Sequence, residues 1–220
     1  MGKEINLLRN YPKTKRDTKE RAAKKSDEDI AIAKKYDKEY FDGDRKYGYG
    51  GYYYNPKYWE PVIPDFIKHY DLNNKSTILD VGCGKGFTLY EFMKALPGIK
   101  VHGIDVSKYA VENSIEEVKP YLKLGNAIDL PFPDNYFDCT ISIVTLHNLN
   151  REECTRGLSE IQRVTKNNSS FITVDAYSNP DEKKLMEEWN LTALTVMHVD
   201  DWKNFFKESN YKGDYYWFKP

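Results

Sequence analysis

Three glycines at alternate positions mark the part of this sequence best suited to bind a ligand. They are Gly82, Gly84 and Gly86. They follow an apolar run that includes Asp80, and this pattern predicts a buried strand with a tight turn where a ligand touches bare backbone. A second apolar run ends at Asp105, whose carboxylate is suited to accept hydrogen bonds from ribose hydroxyls. The two strand ends together predict binding of a cofactor that contains adenosine.

The spacing of the glycines distinguishes between cofactors. Nicotinamide and flavin folds use G-x-G-x-x-G, whereas this sequence has G-x-G-x-G with Phe87 in the place of the third glycine. The stretch DVGCGKG resembles motif I of the class I S-adenosylmethionine-dependent methyltransferases, with a domain of the 11/25 type. Asp105 matches the ribose-binding acid of that family. The resemblance implies S-adenosylmethionine as cofactor and S-adenosylhomocysteine as product.

Strand and helix patterns alternate after this motif. Such alternation indicates an α/β fold with a doubly wound, mostly parallel sheet. The resemblance implies a Rossmann-like sheet of seven strands, completed by an antiparallel edge strand at residues 213–218. We expect residues 71–220 to form the S-adenosylmethionine-binding domain. Residues 1–70 are expected to form a helical and aromatic extension that caps the cofactor or the substrate.

The resemblance assigns cofactor binding to the ends of the first four strands. These candidates are Asp80, Gly82, Cys83, Gly84, Gly86, Asp105, Val106, Asn126, Ala127 and Ile143. Asn126 stands where the family usually has an aspartate that binds the adenine amino group. Its side-chain carbonyl can accept the same hydrogen bond.

Methyl transfer requires few catalytic side chains, because the sulfonium is already activated and the protein mainly aligns the reactants. His147, directly after the fourth strand, is a candidate for a base or a substrate contact; alternatively, it is a structural histidine bonded to a neighbouring loop. His198 and Tyr177 are further candidates on the substrate side. We expect no metal ion.

The local patterns also predict individual helices. They are expected at 26–41 with Ser26 as cap, 56–70, 108–118 with Ser107 as cap, 151–165, and 200–209 with Asp200 as cap. Residues 178–199 are expected to be irregular.

The extension contains two unusual segments. Basic residues crowd positions 13–25, and this segment is either a solvated helix face or loose arm, or a lid that attracts phosphate. The basic residues are Lys13, Lys15, Arg16, Lys19, Arg21, Lys24 and Lys25. Residues 47–61 are rich in glycine and tyrosine, which predicts a shaped loop whose rings either cover the core or line the ligand cleft.

Composition limits the class of protein. The 220 residues carry 33 basic and 34 acidic side chains, so no net field attracts nucleic acid. Three scattered cysteines favour reduced thiols in a cytoplasm, and we find no membrane span or signal peptide pattern.

Segments such as KYGYGGYYYNPKYW and WNLTALTVMHVDDW resemble those of small bacterial methyltransferases that tailor surface polysaccharides or small metabolites. The resemblance implies a small-molecule acceptor, methylated on oxygen or nitrogen, such as a sugar, an amine or a phosphate derivative. An RNA or protein methyltransferase that uses the basic arm and a non-catalytic cofactor-binding protein are alternatives. A homodimer is left open.

Overall fold

The computed structural model describes residues 2–13 and 17–220, without the side chain of Lys24. The strands are β1 (Thr77–Val81), β2 (Lys100–Asp105), β3 (Leu122–Leu124), β4 (Cys139–Ile143), β5 (Ser170–Tyr177), β6 (Met197–His198) and β7 (Asp214–Phe218). The α-helices are α1 (Thr18–Lys24), α2 (Asp27–Ala33), α3 (Lys38–Asp42), α4 (Pro56–Trp59), α5 (Ile63–His69), α6 (Phe87–Ala95), α7 (Lys108–Glu112), α8 (Arg151–Val164), α9 (Pro180–Trp189) and α10 (Val199–Glu208).

The strands form one sheet in the order β3–β2–β1–β4–β5, and both β6 and β7 pair with β5. Helices cover both faces of the sheet, and an apolar core lies on each face. The α/β sheet of seven strands with a helical and aromatic extension is therefore confirmed. The carboxyl ends of β1, β2 and β4 meet at one edge, as a doubly wound sheet requires.

The orientation of β7 differs from the expectation. β7 runs parallel to β5, from the pair Phe171 and Asp214 to the pair Asp175 and Phe218, so the predicted antiparallel edge strand is wrong. The physical reason is the helix α10, which returns the chain from β6 to the amino edge of the sheet. Trp202 on α10 is buried in the core that β7 completes.

Two predicted helices of the extension are each broken in two. Between α2 and α3, Tyr36 adopts a φ of 50°, and the carboxylate of Asp37 accepts the N–H of Lys38 at the start of α3. Between α4 and α5 stands Pro61, which lacks the N–H that a continuous helix needs. The caps themselves were predicted correctly where Ser26 and Ser107 begin α2 and α7.

Three further corrections concern the rest of the chain. α7 ends at Glu112, because the chain then turns so that the N–H of Ile115 donates to the carbonyl of Lys85 in the glycine loop. Residues 178–199 are not irregular, since Asn179 caps the ten-residue helix α9. His198, and not Asp200, caps α10.

The three cysteines are free and buried. Within residues 2–13 and 17–220, no helix has the length and apolar character needed to cross a membrane.

Candidate active site

The glycine loop, residues 82–86, turns in a space too narrow for side chains. The N–H groups of Gly82 and Cys83 donate to the carbonyl of Ile104 at 2.7 and 3.1 Å. Gly82 has a φ of 84°, and a Cβ there would lie 2.1 Å from the hydroxyl of Thr145. The turn therefore places bare backbone beside the end of β2.

Asp105 closes the other side of this turn. Its Oδ2 accepts the N–H of Gly84 at 2.7 Å, and its Oδ1 accepts the N–H of Ser107 at 2.8 Å. Burial raises the pKa of Asp105, while these backbone hydrogen bonds act in the opposite direction. The structure thus brings together the two strand ends that the sequence indicated.

Asp80 lies on β1, two positions before Gly82, and it is buried, with 3% of its surface exposed. Burial, and secondarily the charge of Asp105, raise the pKa of Asp80 to about 8. Among the residues that the structure describes, no side chain or backbone group hydrogen-bonds to this carboxyl. A cationic ligand group beside Asp80 would favour its ionised form, so the residues present fit a cofactor that carries an ammonium and a sulfonium.

The remaining cofactor candidates follow the same edge of the sheet. Val106 is 51% exposed directly after Asp105, and Ile143 is half-buried at the end of β4. Asn126 is exposed, and its Oδ1 accepts the N–H of Ile128 at 3.2 Å. Ala127 is buried in the core, and burial raises the pKa of the Cys83 thiol well above its usual range. Contacts of these five residues with a cofactor stay a prediction.

His147 lies in a short turn after β4 and is 3% exposed. Its Nδ1 is 3.0 Å from the backbone nitrogen of Asp175, whose N–H can only donate, so Nδ1 carries no proton. Burial lowers the pKa of His147 to about 3, and the neutral ring therefore holds its proton on Nε2, 3.5 Å from Oδ1 of Asp175. The ring orients the end of β5, and a base role for it stays a prediction.

His198 and Tyr177 are paired with each other rather than with His147. They are register partners in β6 and β5, and their rings lie 5.7 Å apart. Nε2 of His198 is 3.0 Å from the carbonyl of Ser178, and Nδ1 accepts the N–H of Asp200 at 3.2 Å. His198 therefore has a structural use as the cap of α10, and catalytic roles for both residues stay predictions.

Rings of the extension lie over the glycine loop. Tyr52 stacks on Phe87 at 4.7 Å between centroids, and a Cβ on Gly84 would be 3.3 Å from its ring. Tyr49 lies 4.3 Å from Tyr52, and Phe41 packs on both. We call Phe41, Tyr49 and Tyr52 the aromatic cap. The sequence indicated tyrosines at this place without showing which of them would make these contacts.

Asp42 ties the aromatic cap to the glycine loop, and sequence reasoning missed it. Its Oδ2 is 2.6 Å from Nζ of Lys85 and accepts the hydroxyl of Tyr109 at 2.7 Å. Its Oδ1 accepts the N–H of Tyr52 at 3.0 Å. Its partners lie 43 and 67 positions away along the chain, so no local pattern could have indicated them.

Two residues of the basic segment, Arg21 and Lys25, are docked on the rest of the chain. The guanidinium of Arg21 lies 4.4 Å from the ring of Trp189 on α9. Nζ of Lys25 donates to the carbonyls of Glu188 and Asn190 at the end of the same helix, at 3.2 and 3.0 Å. A loose arm is therefore wrong for residues 18–25. Lys15, Arg16 and the side chain of Lys24 lie outside what the structure describes.

Comparison with known proteins identifies the domain that carries this site. A family model described as a methyltransferase domain matches residues 79–173, from β1 into β5. Residues 79–173 form a methyltransferase domain. The match implies S-adenosylmethionine as methyl donor and S-adenosylhomocysteine as product of this domain. Across the residues with described positions, no group of three or more His, Cys, Asp or Glu side chains is arranged to hold a metal ion.

Curated relatives of this methyltransferase domain differ in chemistry. The chain is 35% identical over 152 residues to a demethylmenaquinone methyltransferase of Symbiobacterium thermophilum, covering 66% of this chain and 59% of that one. It is 36% identical over 125 residues to the arginine-hydroxylase NDUFAF5 of Rattus norvegicus, covering 51% of this chain and 36% of that one. The chain thus spans less than two thirds of either relative.

A solved structure shows the same fold. The YcgJ protein of Bacillus subtilis superposes with a TM-score of 0.52 and 23% identity, over 65% of this chain and 64% of that one. The shared fold is the Rossmann-like class I methyltransferase fold, with its parallel sheet between helices.

Proposed function

We propose that this chain transfers the methyl group of S-adenosylmethionine to an oxygen or nitrogen of a small molecule. The observation that carries the proposal is the buried carboxyl of Asp80, which lies on β1 just before the glycine loop and has no hydrogen bond from any described residue. A neutral ligand would not lower the free-energy cost of ionising this buried carboxyl. A ligand with an ammonium beside ribose hydroxyls suits both acids at once.

The donor supplies an activated methyl group when it is bound, so the chain's own residues bind, orient and exclude water. We assign to Asp105 the acceptance of hydrogen bonds from ribose hydroxyls, and to the glycine loop, whose backbone its carboxylate orders, the contact with the donor. Tyr52 and Tyr49 cover the loop with apolar surface. We assign residues 1–70 to this covering role and residues 71–220 to donor binding.

The acceptor falls in the class of sugars, amines and phosphate derivatives, in the cytoplasmic tailoring of surface polysaccharides or small metabolites. The docking of Arg21 and Lys25 supports a small acceptor. Arg21 and Lys25 contact α9 of their own chain, so these two cations do not form an extended surface for RNA. An RNA acceptor would require binding that falls steeply with salt, which filter binding at two ionic strengths measures.

Calorimetry with S-adenosylmethionine, S-adenosylhomocysteine and NAD tests the donor. We expect saturable heat from the first two and none from NAD. A bound cation lowers the pKa of Asp80, so binding near pH 7 should release protons and the heat should change with the ionisation enthalpy of the buffer. Absence of heat from both donor and product would overturn the proposal.

Methyl transfer itself is tested with donor labelled in the methyl group and a panel of sugars, amines and phosphorylated metabolites. Label in an acceptor, together with formation of S-adenosylhomocysteine, supports the activity. Donor binding without transfer to any compound of the panel would favour a cofactor-binding protein without catalysis.

A further inference from the structure

Two arginines of the extension meet over one tryptophan. The guanidinium carbon of Arg21 lies 4.4 Å from the ring centroid of Trp189, and that of Arg45 lies 5.3 Å from the same ring. Arg21 is on α1 and Arg45 follows α3, whereas Trp189 is the last residue of α9. Three separate segments of the chain therefore bring two like charges together.

No carboxylate of the described residues pairs with either guanidinium. Both guanidinium groups donate a hydrogen bond to the carbonyl of Gly48, and that of Arg21 is 3.0 Å long. Nε of Arg21 is buried without a hydrogen-bond partner. Burial, followed by the charge of Arg45, lowers the pKa of Arg21 to about 10. Two adjacent cations held in this way lack a counter-charge.

Arginines elsewhere in the chain are paired differently. Arg9 pairs with Asp65, and Arg151 with Glu208. Arg163 pairs with two acids, Asp134 at 2.9 Å and Glu160 at 2.7 Å. Arg156 on α8 also has no described acid, but it is exposed to solvent, whereas Arg21 is half-buried and lies against a second guanidinium.

The arginine pair borders the aromatic cap. Burial raises the pKa of Tyr49, and the charges of Asp105, Arg45 and Asp175 also act on its hydroxyl. Tyr49 thus lies within electrostatic reach of the donor-side acid, the end of β5 and the arginine pair. Tyr49 as a whole residue is 44% exposed, so it borders accessible space.

We propose that Arg21 and Arg45 form an anion subsite that binds a phosphate or carboxylate group of the methyl acceptor. This inference rests on the proposed function, because it assigns an anionic acceptor to the same site. The planar guanidinium is suited to bind two oxygens of such a group, and both guanidinium groups lie against the ring of Trp189. The acceptor then extends from the arginine pair past Tyr49 towards the donor.

The test follows the indole N–H signal of Trp189 by NMR in protein saturated with S-adenosylhomocysteine. The chain has four tryptophans, and Trp189→Phe assigns the signal. Inorganic phosphate and acetate are titrated separately, so that the two arms distinguish a phosphate from a carboxylate group. The samples are wild type, Arg45→Gln, Arg45→Lys, and Arg156→Gln as a control that removes an exposed arginine from α8.

We expect a saturable shift of the Trp189 signal with at least one of the two anions. Arg45→Gln should weaken that binding about tenfold or more, since charge-assisted hydrogen bonds are lost. Arg45→Lys should weaken it less, and Arg156→Gln should leave it unchanged. Unchanged affinity for S-adenosylhomocysteine in each variant shows that the fold is intact.

Two results would overturn the subsite. One is a Trp189 signal that neither anion moves, and the other is equal weakening by Arg45→Gln and Arg156→Gln. If S-adenosylhomocysteine binds in those samples, only the subsite fails. If S-adenosylhomocysteine gives no binding to wild type, the proposed function itself fails.

Discussion

Nζ of Lys85 lies 2.6 Å from Oδ2 of Asp42, and this ion pair joins the glycine loop to the extension. Both side chains are largely buried, with 7% and 13% of their surface exposed. Because the carboxylate also accepts Tyr109 and the backbone of Tyr52, the position of the aromatic cap depends on it.

Asp42→Ala should therefore destabilise the protein strongly. It leaves the ammonium of Lys85 buried without its acid, which typically costs about 3–5 kcal/mol in the free energy of unfolding. Urea unfolding measures the change. The matched control is Glu112→Ala, which removes the acid of the exposed pair with Lys108 and should cost less than about 1 kcal/mol. Equal costs for the two variants would contradict the role given to Asp42.

Asp105→Ala should remove most of the affinity for the donor. The ribose hydroxyls lose their acceptor, and the N–H groups of Gly84 and Ser107 lose the carboxylate that orders the loop. We expect binding of S-adenosylhomocysteine to weaken by about 100-fold or more, as two charge-assisted hydrogen bonds would give. Calorimetry measures it, with the exposed Asp129→Ala as control. Unchanged affinity would place the ribose elsewhere.

The raised pKa of Asp80 predicts how stability changes with pH. In the unfolded chain an aspartate ionises near pH 4, whereas burial raises the pKa of Asp80 to about 8 in the fold. Between about pH 4 and 8 the native state therefore binds the extra proton, and its stability falls as the pH rises. Asp80→Asn removes this contribution. Its free energy of unfolding should therefore increase relative to that of the wild type as the pH rises.

Urea unfolding of both proteins without ligand, at several pH values in this window, gives the comparison. A difference between wild type and Asp80→Asn that does not change with pH would mean that Asp80 is ionised in the fold.

His147→Ala should lower turnover far more than donor affinity. The hydrogen bond from the backbone of Asp175 to Nδ1 is lost, so the end of β5 is no longer held beside the turn after β4. Because the pKa of His147 is lowered to about 3, wild-type turnover should show no ionisation of this residue between about pH 5 and 9. His147→Asn, which keeps an acceptor on a short side chain, should recover part of the turnover.

Turnover and donor affinity are measured separately across this pH range. Normal turnover of His147→Ala would remove the residue from the site. A limb of the pH profile that disappears in this variant would instead support a base role.

Local sequence patterns were enough to predict the parts of the site that depend on neighbouring residues. The strand, the glycine turn and Asp105 follow from apolar runs and glycine spacing, and the caps at Ser26 and Ser107 follow from residue type. Interruptions such as Tyr36 depend on tertiary packing, which a helical period does not record.

The remaining features depend on contacts between distant positions. Asp42 and Lys85 lie 43 positions apart. Arg45 contacts Trp189, which lies far away in the sequence. The direction of β7 is likewise set by how α10 returns the chain, and not by the residues of the strand itself. Sequence patterns of short range therefore predicted the glycine turn and Asp105, and missed the contacts of Asp42 and Arg45.

The first described residues pair with β7. The N–H of Ile5 donates to the carbonyl of Tyr215, and the N–H of Tyr215 donates to the carbonyl of Lys3, both at 3.0 Å. During synthesis on the ribosome, residues 3–5 cannot form these hydrogen bonds until Tyr215, about two hundred positions later, has been translated. This start of the extension can therefore take its place only after β7 has been translated.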